Sequence, residues 1–244
     1  MAEFKFPTET IKLPSQGHFY SEDSPLSKGE IEMKYMTAKE EDILTNSNYI
    51  QKGIVLDKLL ESLVISPKFN LDDMLLGDKN ALLIASRILG YGKDYKVRIG
   101  GLEENIDLTT LENIKIDFDS IPKGKNEFEY TLPHSGTKIT YKILNGKDEK
   151  TILQEIEGYK KINKEASPEI STRLRTMITS VEGDNSPKTI NEFVNNYLLA
   201  MDSREFRKHY QLSIPDVDLS FRGSDGRQRQ VPINLSFFWP DSDL

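Results

Sequence analysis

Residues 77–92 read GDKNALLIASRILGYG, and the fold turns on whether this stretch is a helix. Ala81, Ile84, Ala85 and Ile88 recur at the three- and four-residue spacing of an α-helix, with Leu82 and Leu89 beside them. Asp78 stands where an N-cap belongs, since a short acceptor side chain there satisfies an orphan backbone N–H. Gly90 stands where a left-handed C-terminal residue belongs, because it has no Cβ to clash. Apolar residues cover much of the circumference, so the predicted helix is central to the core.

Upstream, residues 35–46 read YMTAKEEDILTN. Glu40, Glu41 and Asp42 raise the prospect of an acid/base pair or a metal site. Thr37 and Glu40, however, carry the T-x-x-E pattern of a capping box. Acids favour the first turn, where the helix dipole is positive. The cluster therefore reads as the start of a helix. Leu56, Leu59, Leu60 and Leu63 mark a second amphipathic helix. Before them, Ile11 and Leu13 alternate with polar residues, as do Ile31, Met33 and Tyr35, which predicts two strands. The PSQGHFYSEDSPLSKG between them is rich in Pro, Gly and Ser and reads as a loop or broad hairpin connection.

Downstream, DYKVRIG, NIKIDFD, FEYTL and TKITYKIL alternate as strands, with a hairpin over residues 127–144 around LPHSGTK. Residues 147–212 return to helical spacing: Ile152, Ile156 and Tyr159, then Leu174, Met177, Ile178 and Val181, broken at Gly183. Ser186 is placed to cap the next helix with Pro187 at its first position, and Asp202 to cap the one after. In residues 214–244, DVDLSF and RQVPINLSFFW flank the turn RGSDGR as a strand pair, with Pro232 expected at an edge or bulge. The fold class expected is α+β. Residues 1–92 form an N-terminal strand-plus-helix region, and 93–244 a sheet region with a helical insertion at about 147–212.

The 244 residues carry a formal net charge of −7, with 37% hydrophobic and 29% charged residues. That balance suits a buried core and weighs against a general nucleic-acid binder. No cysteine occurs, which excludes disulfides and thiol catalysis. The N-terminus has no apolar h-region, and no run reaches the roughly 18 apolar residues of a membrane span. A soluble, cytoplasmic protein is expected.

Chemistry-bearing motifs are sparse. His18, His134 and His209 stand apart, without zinc spacing. His209, near a helix C-terminus, reads as a residue suited to the dipole. Asp72 and Asp73 read as a helix start. The glycines of GDKNALL and GYGK match neither phosphate-loop pattern. No catalytic, cofactor-binding or metal residue is assigned, and no enzyme is expected. Two features point to binding instead. Arg204, Arg207 and Lys208 fall at i, i+3 and i+4 on one helix face, and Arg222, Arg227 and Arg229 gather near the last turn. Phe237, Phe238 and Trp239, the only tryptophan, crowd toward the C-terminus. They either dock into the core or anchor a partner.

The blocks LPSQGHFYSEDSPLSKGEIEMKYMTAKEEDILTN, GIVLDKLLES and GDKNALLIASRILGYGKDY, with the later DSREFR, PDVDLSF and FFWP, resemble the baseplate hub and hub-assembly family of T-even-type contractile-tailed phages. The resemblance spans nearly the whole chain, with gaps around 103–170. It implies a non-enzymatic tail protein that helps build the central hub of the baseplate, as assembly factor or hub subunit. Its partners would be other hub or tail proteins, met in the host cytoplasm during assembly or in the virion. The family pattern includes a C-x-x-C knuckle after the strand following ILGYG and another in the final hairpin, together a four-cysteine zinc ribbon. Here IGGLE (99–103) and RGSDGRQ (222–228) stand in those places, so the resemblance implies a metal-free version held by apolar packing. A different class of function, a nucleic-acid-binding module with a degenerate ribbon-like sheet, rests on the two arginine patches.

Overall fold

The structure is a computed structural model that describes residues 7–99, 101–162 and 168–239. The chain is α+β, its described strands forming small antiparallel sheets. It gathers into two units. The first comprises Met1–Leu71, Gly77–Lys115 and Pro215–Leu244; the second comprises Asp72–Leu76 and Ile116–Ile214. This differs from a linear division at residue 92. The segments after it return to the helix over 77–92, and only the middle of the chain separates.

In the first unit, β1 (Thr8–Lys12) pairs antiparallel with β2 (Glu30–Lys34), Ile11 opposite Ile31. The connection between them is a packed element: Leu13, Ser15, Phe19, Tyr20 and Leu26 are buried. Next come α1 (Ala38–Leu44), α2 (Ser47–Gln51) and α3 (Val55–Leu63). The capping box over Thr37 and Glu40 forms as expected. The Glu40 carboxylate accepts from the Thr37 backbone N–H at 2.9 Å and from its hydroxyl at 2.6 Å. It also accepts from Ser62 Oγ of α3 and Lys34 Nζ of β2. Burial pushes its pKa up, but these donors outweigh burial and hold it at about 2.

The central helix, α4, runs Leu76–Tyr91. Its buried arc is Leu82, Leu83, Ile84, Ser86 and Arg87; Ile84 and Leu82 are buried as expected, while Ala81, Ala85 and Ile88 of the expected stripe stay half-buried. Asp78 does not cap it. The helix has already begun, and the fully buried Asp78 carboxylate instead binds the β1–β2 connection. Ser15 donates its N–H at 2.9 Å and its hydroxyl at 2.6 Å, and Tyr20 its hydroxyl at 2.5 Å. Nor does Gly90 end the helix. It lies within it, where a Cβ would fall 2.5 Å from Met36 Sδ. Gly92, at φ +85°, takes the left-handed position, its N–H donating to Ile88 O.

The Arg87 side chain is a fully buried cation with no acid partner among the described residues. It donates to the carbonyls of Phe237, Gly92 and Asp94 at 3.0, 3.0 and 3.3 Å, and its guanidinium lies over the Tyr91 ring at 5.3 Å. Strands β3 (Asp94–Ile99) and β4 (Leu102–Asp107) follow as a hairpin with Tyr95 opposite Ile106. Strand β4 was not expected, because LEENID is acidic and such residues are depleted in strands. The strand expected over NIKIDFD does not form. Asn113 makes a single bridge to Val217, and Phe118–Ser120 is a 3-10 turn.

The second unit holds β5 (Phe128–Thr131), β6 (Lys138–Tyr141), α5 (Gly146–Ile162), α6 (Glu169–Met177), β7 (Ile178–Val181), α7 (Pro187–Glu192) and α8 (Ala200–Ser213). The hairpin β5–β6 is as expected, and β7 joins it as the third strand. Ile178 and Val181 are thus strand residues, not a continuing helix. Their spacing from Leu174 and Met177 happens to be helical, but α6 stops at Met177, whose carbonyl accepts from Lys142 N–H. Helices pack on the sheet through Ile152, Ile156, Leu174, Phe206 and Tyr210. Ser186 caps α7, with Pro187 at its first position, as expected. A π-helical turn, Phe193–Tyr197, continues α7.

The chain closes in the first unit with β8 (Ser220–Arg222) and β9 (Gln228–Gln230). They pair with each other, in a sheet separate from β5–β6–β7. The strand expected to run on through LSFF ends early, and Leu235–Phe238 is a 3-10 turn.

Candidate functional site

Helix α8 sets its charges by where its one buried acid goes. Asp202, expected as a cap, sits inside the helix, whose N-cap position is Leu199. Its buried carboxylate accepts the backbone N–H groups of His134 and Ser135, at 2.8 and 3.0 Å, in the β5–β6 turn. Burial raises its pKa, and those bonds more than reverse the effect, so it stays ionised. Phe206 and Tyr210 continue that buried face, and the Tyr210 oxygen accepts from Leu144 N–H. The opposite face is therefore left to Arg204, Arg207 and Lys208, all exposed. None forms an ion pair among the described residues. Arg207 Nε bonds the Ser203 carbonyl of its own helix at 3.3 Å. The sequence-expected basic face is present as one surface.

The second arginine patch is largely engaged within its own turn. Arg229 holds Asp225 through both terminal nitrogens, at 2.6 and 2.7 Å. Arg222 Nε donates to the Gly226 carbonyl. The two patches belong to different units and form no common surface in either.

The C-terminal aromatics separate in the same way. Phe237 and Phe238 are fully buried, Phe237 edge-on to Tyr95 at 4.8 Å. They hold the first unit's core and are removed from the partner-binding candidates, because no partner reaches a ring with no exposed surface. Trp239 remains 39% exposed.

Strand β4 and the turn at 222–228 meet through a carboxylate. Glu104 of β4, directly after residues 99–103, accepts the Ser224 N–H on its two oxygens at 3.1 and 3.0 Å and the Ser224 hydroxyl at 3.1 Å. Arg229 approaches the same carboxylate at 3.5 Å. This clasp was illegible in a scan for motifs, since it joins residues 120 positions apart.

The remaining candidates are structural. Lys150 pairs with Asp72 within the second unit. His209 stacks on Tyr130 at 4.3 Å, and its Nε2 lies 2.9 Å from the Tyr141 hydroxyl. Burial pushes its pKa down. Among the described residues, no group of three His, Asp or Glu side chains converges to hold a metal ion. Among them, too, no helix is long and apolar enough to cross a membrane.

What the sequence scan missed lies beside the basic face. Tyr197, Leu199 and Met201 are exposed, although YLLAM reads as a helix core. Only the break between the π-helical turn and α8 turns them outward. No protein-family model, curated protein or solved structure matches the chain.

Proposed function

We propose that the protein is a non-enzymatic tail component of a contractile-tailed phage that acts in building the central hub of the baseplate, as an assembly factor or a hub subunit. Its mechanism is recognition of other hub proteins. One observation carries the reading. The sequence blocks that resemble the hub family, DSREFR apart, lie in a single unit, and several are one another's partners there. Ser15 and Tyr20 of LPSQGHFY bind Asp78 of GDKNALL. Glu40 of MTAKEEDIL binds Ser62 of the following helix. Arg87 of the ILGYG block binds the Phe237 carbonyl of FFWP. Residues spread over these blocks thus build one scaffold, and the buried acids and arginine among them have structural partners.

The Glu104–Ser224 clasp is compatible with the metal-free form of the terminal region, because it ties β4 to the final turn without thiolates. The engagement of Arg229 and Arg222 within their own turn weighs against the nucleic-acid-binding alternative. Mass spectrometry of purified virions, together with affinity capture from infected cells, tests the reading. Fixed stoichiometry in virions identifies a subunit. Co-purification with hub proteins but absence from virions identifies an assembly factor. Capture of no tail protein rejects both.

A further inference from the structure

The second unit carries a groove of about 520 Å³, lined by Ile170 and Leu174 of α6, Val194 and Leu198 around the π-helical turn, and Ala200 and Ser203 of α8. Ile170 of that lining is 54% exposed, and Tyr197 and Met201, next in sequence to Leu198 and Ala200 of the lining, are 64% and 60% exposed. Large exposed apolar patches rimmed by polar residues mark interaction sites on soluble proteins. The π-helical turn is a second sign. It keeps Phe193 and Val194 buried while leaving Tyr197 outside, and such turns recur at functional sites.

The groove is also charged at one end. Ala200, Ser203 and Arg207 follow at i, i+3 and i+7, so Arg207 continues the lining stripe, with Arg204 beside it and Lys208 one turn on. These three cations have no acidic partner among the described residues. Of the two acids on the helix, Asp202 is buried in the β5–β6 turn, and Glu205, half-buried between Arg204 and Arg207, acts on Tyr130 and makes no ion pair among the described residues. The lining includes one acid, Glu169, which faces Arg173 at 3.4 Å.

We propose that this groove docks an acidic, apolar segment of a partner protein. The segment's aliphatic side chains lie over Leu174, Val194 and Leu198, and its carboxylates meet Arg204, Arg207 and Lys208. An apolar floor with a cationic end suits such a peptide and not a nucleic acid, whose backbone would need cations along its whole track. The inference rests on the hub-assembly reading for where the partner comes from, but not for the partner's chemistry.

The test is panning of a random dodecapeptide library on the full chain. The comparison proteins are a charge-reversed variant, Arg204→Glu with Arg207→Glu and Lys208→Glu, and a rim variant, Tyr197→Asp with Met201→Asp. All five side chains are exposed, so unchanged thermal melting is the control for folding. Enriched peptides should pair carboxylates with aliphatic residues. A synthesised one should lose about tenfold or more in affinity on the charge-reversed variant, weaken in high salt, and also weaken on the rim variant. No enrichment, enriched peptides without acids, or equal binding to both variants overturns the proposal. So does equal competition by a single-stranded oligonucleotide, or burial of the rim by self-association in sedimentation. Capture of purified hub proteins by the charge-reversed and rim variants as well as by the native chain would sink the groove and leave the assembly reading standing.

Discussion

Arg87 and Phe237 are 150 residues apart, and the guanidinium of one donates to the backbone carbonyl of the other at 3.0 Å. The central helix thereby holds the C-terminal turn by its backbone, while the Phe237 ring fills the core beneath. The cation finds no carboxylate in this site. Carbonyl oxygens and the faces of Tyr91 and Tyr95 compensate its burial.

Arg87→Met should therefore destabilise the protein by about 3 kcal/mol or more, since it leaves several buried carbonyls without donors. Arg87→Lys, with fewer donors and no planar fork, should recover only part of this. Urea unfolding followed by tryptophan fluorescence measures both. A loss below about 0.5 kcal/mol would show that water replaces the guanidinium.

Phe237→Ala and Trp239→Ala should part company. Removing the buried Phe237 ring should cost about 3–5 kcal/mol, while the partly exposed Trp239 should cost about 1 kcal/mol or less. Equal losses in thermal melting would contradict this placement.

Glu40 should make stability depend on pH in the acid range. Its folded pKa, about 2, lies below the ordinary 4.5. Its contribution is therefore complete above pH 4.5 and is lost as pH falls toward 2, amounting to about 3 kcal/mol. Glu40→Gln should lower stability at neutral pH and flatten the fall between those values. An unchanged pH profile by urea titration would remove Glu40 as its source.

Gly77→Ala sets two effects against each other. Alanine favours a helix by about 1 kcal/mol. At this position, however, its Cβ would fall 2.0 Å from the Pro215 carbonyl oxygen and 2.8 Å from Asp216 Cα. Both atoms are backbone and cannot swing aside, so net destabilisation of about 2 kcal/mol is expected. A higher melting temperature in the variant would refute it.

The legible parts of the fold are those fixed by local rules. The Thr37–Glu40 box, the Ser186–Pro187 cap and the β5–β6 hairpin follow from short-range chemistry, and each forms. The misread positions are polar residues whose partners lie far along the chain. Asp78 and Asp202 look like caps because a cap is what a local scan offers an acid before an apolar run. Both are instead buried acceptors for loops, 63 and 68 residues away in Ser15 and His134. Glu104 hid a strand for the same reason. At the candidate site, helical spacing sufficed to group Arg204, Arg207 and Lys208. It did not suffice for Tyr197 and Met201, because the helix expected across them breaks between the π-helical turn and α8.

The segment from Pro215 onward belongs to the first unit, while everything between Ile116 and Ile214 belongs to the second. A ribosome that has released Ile214 has made all of the second unit. The first still lacks Phe237, Phe238 and the carbonyl that Arg87 awaits. During synthesis the second unit, with its groove and basic helix, is complete before the first. The first unit must wait for the segment from Pro215 onward, and Arg87, already beside the Gly92 and Asp94 carbonyls, for that of Phe237. The surface proposed for a partner is synthesised first, ahead of the segment that completes the unit holding the central helix.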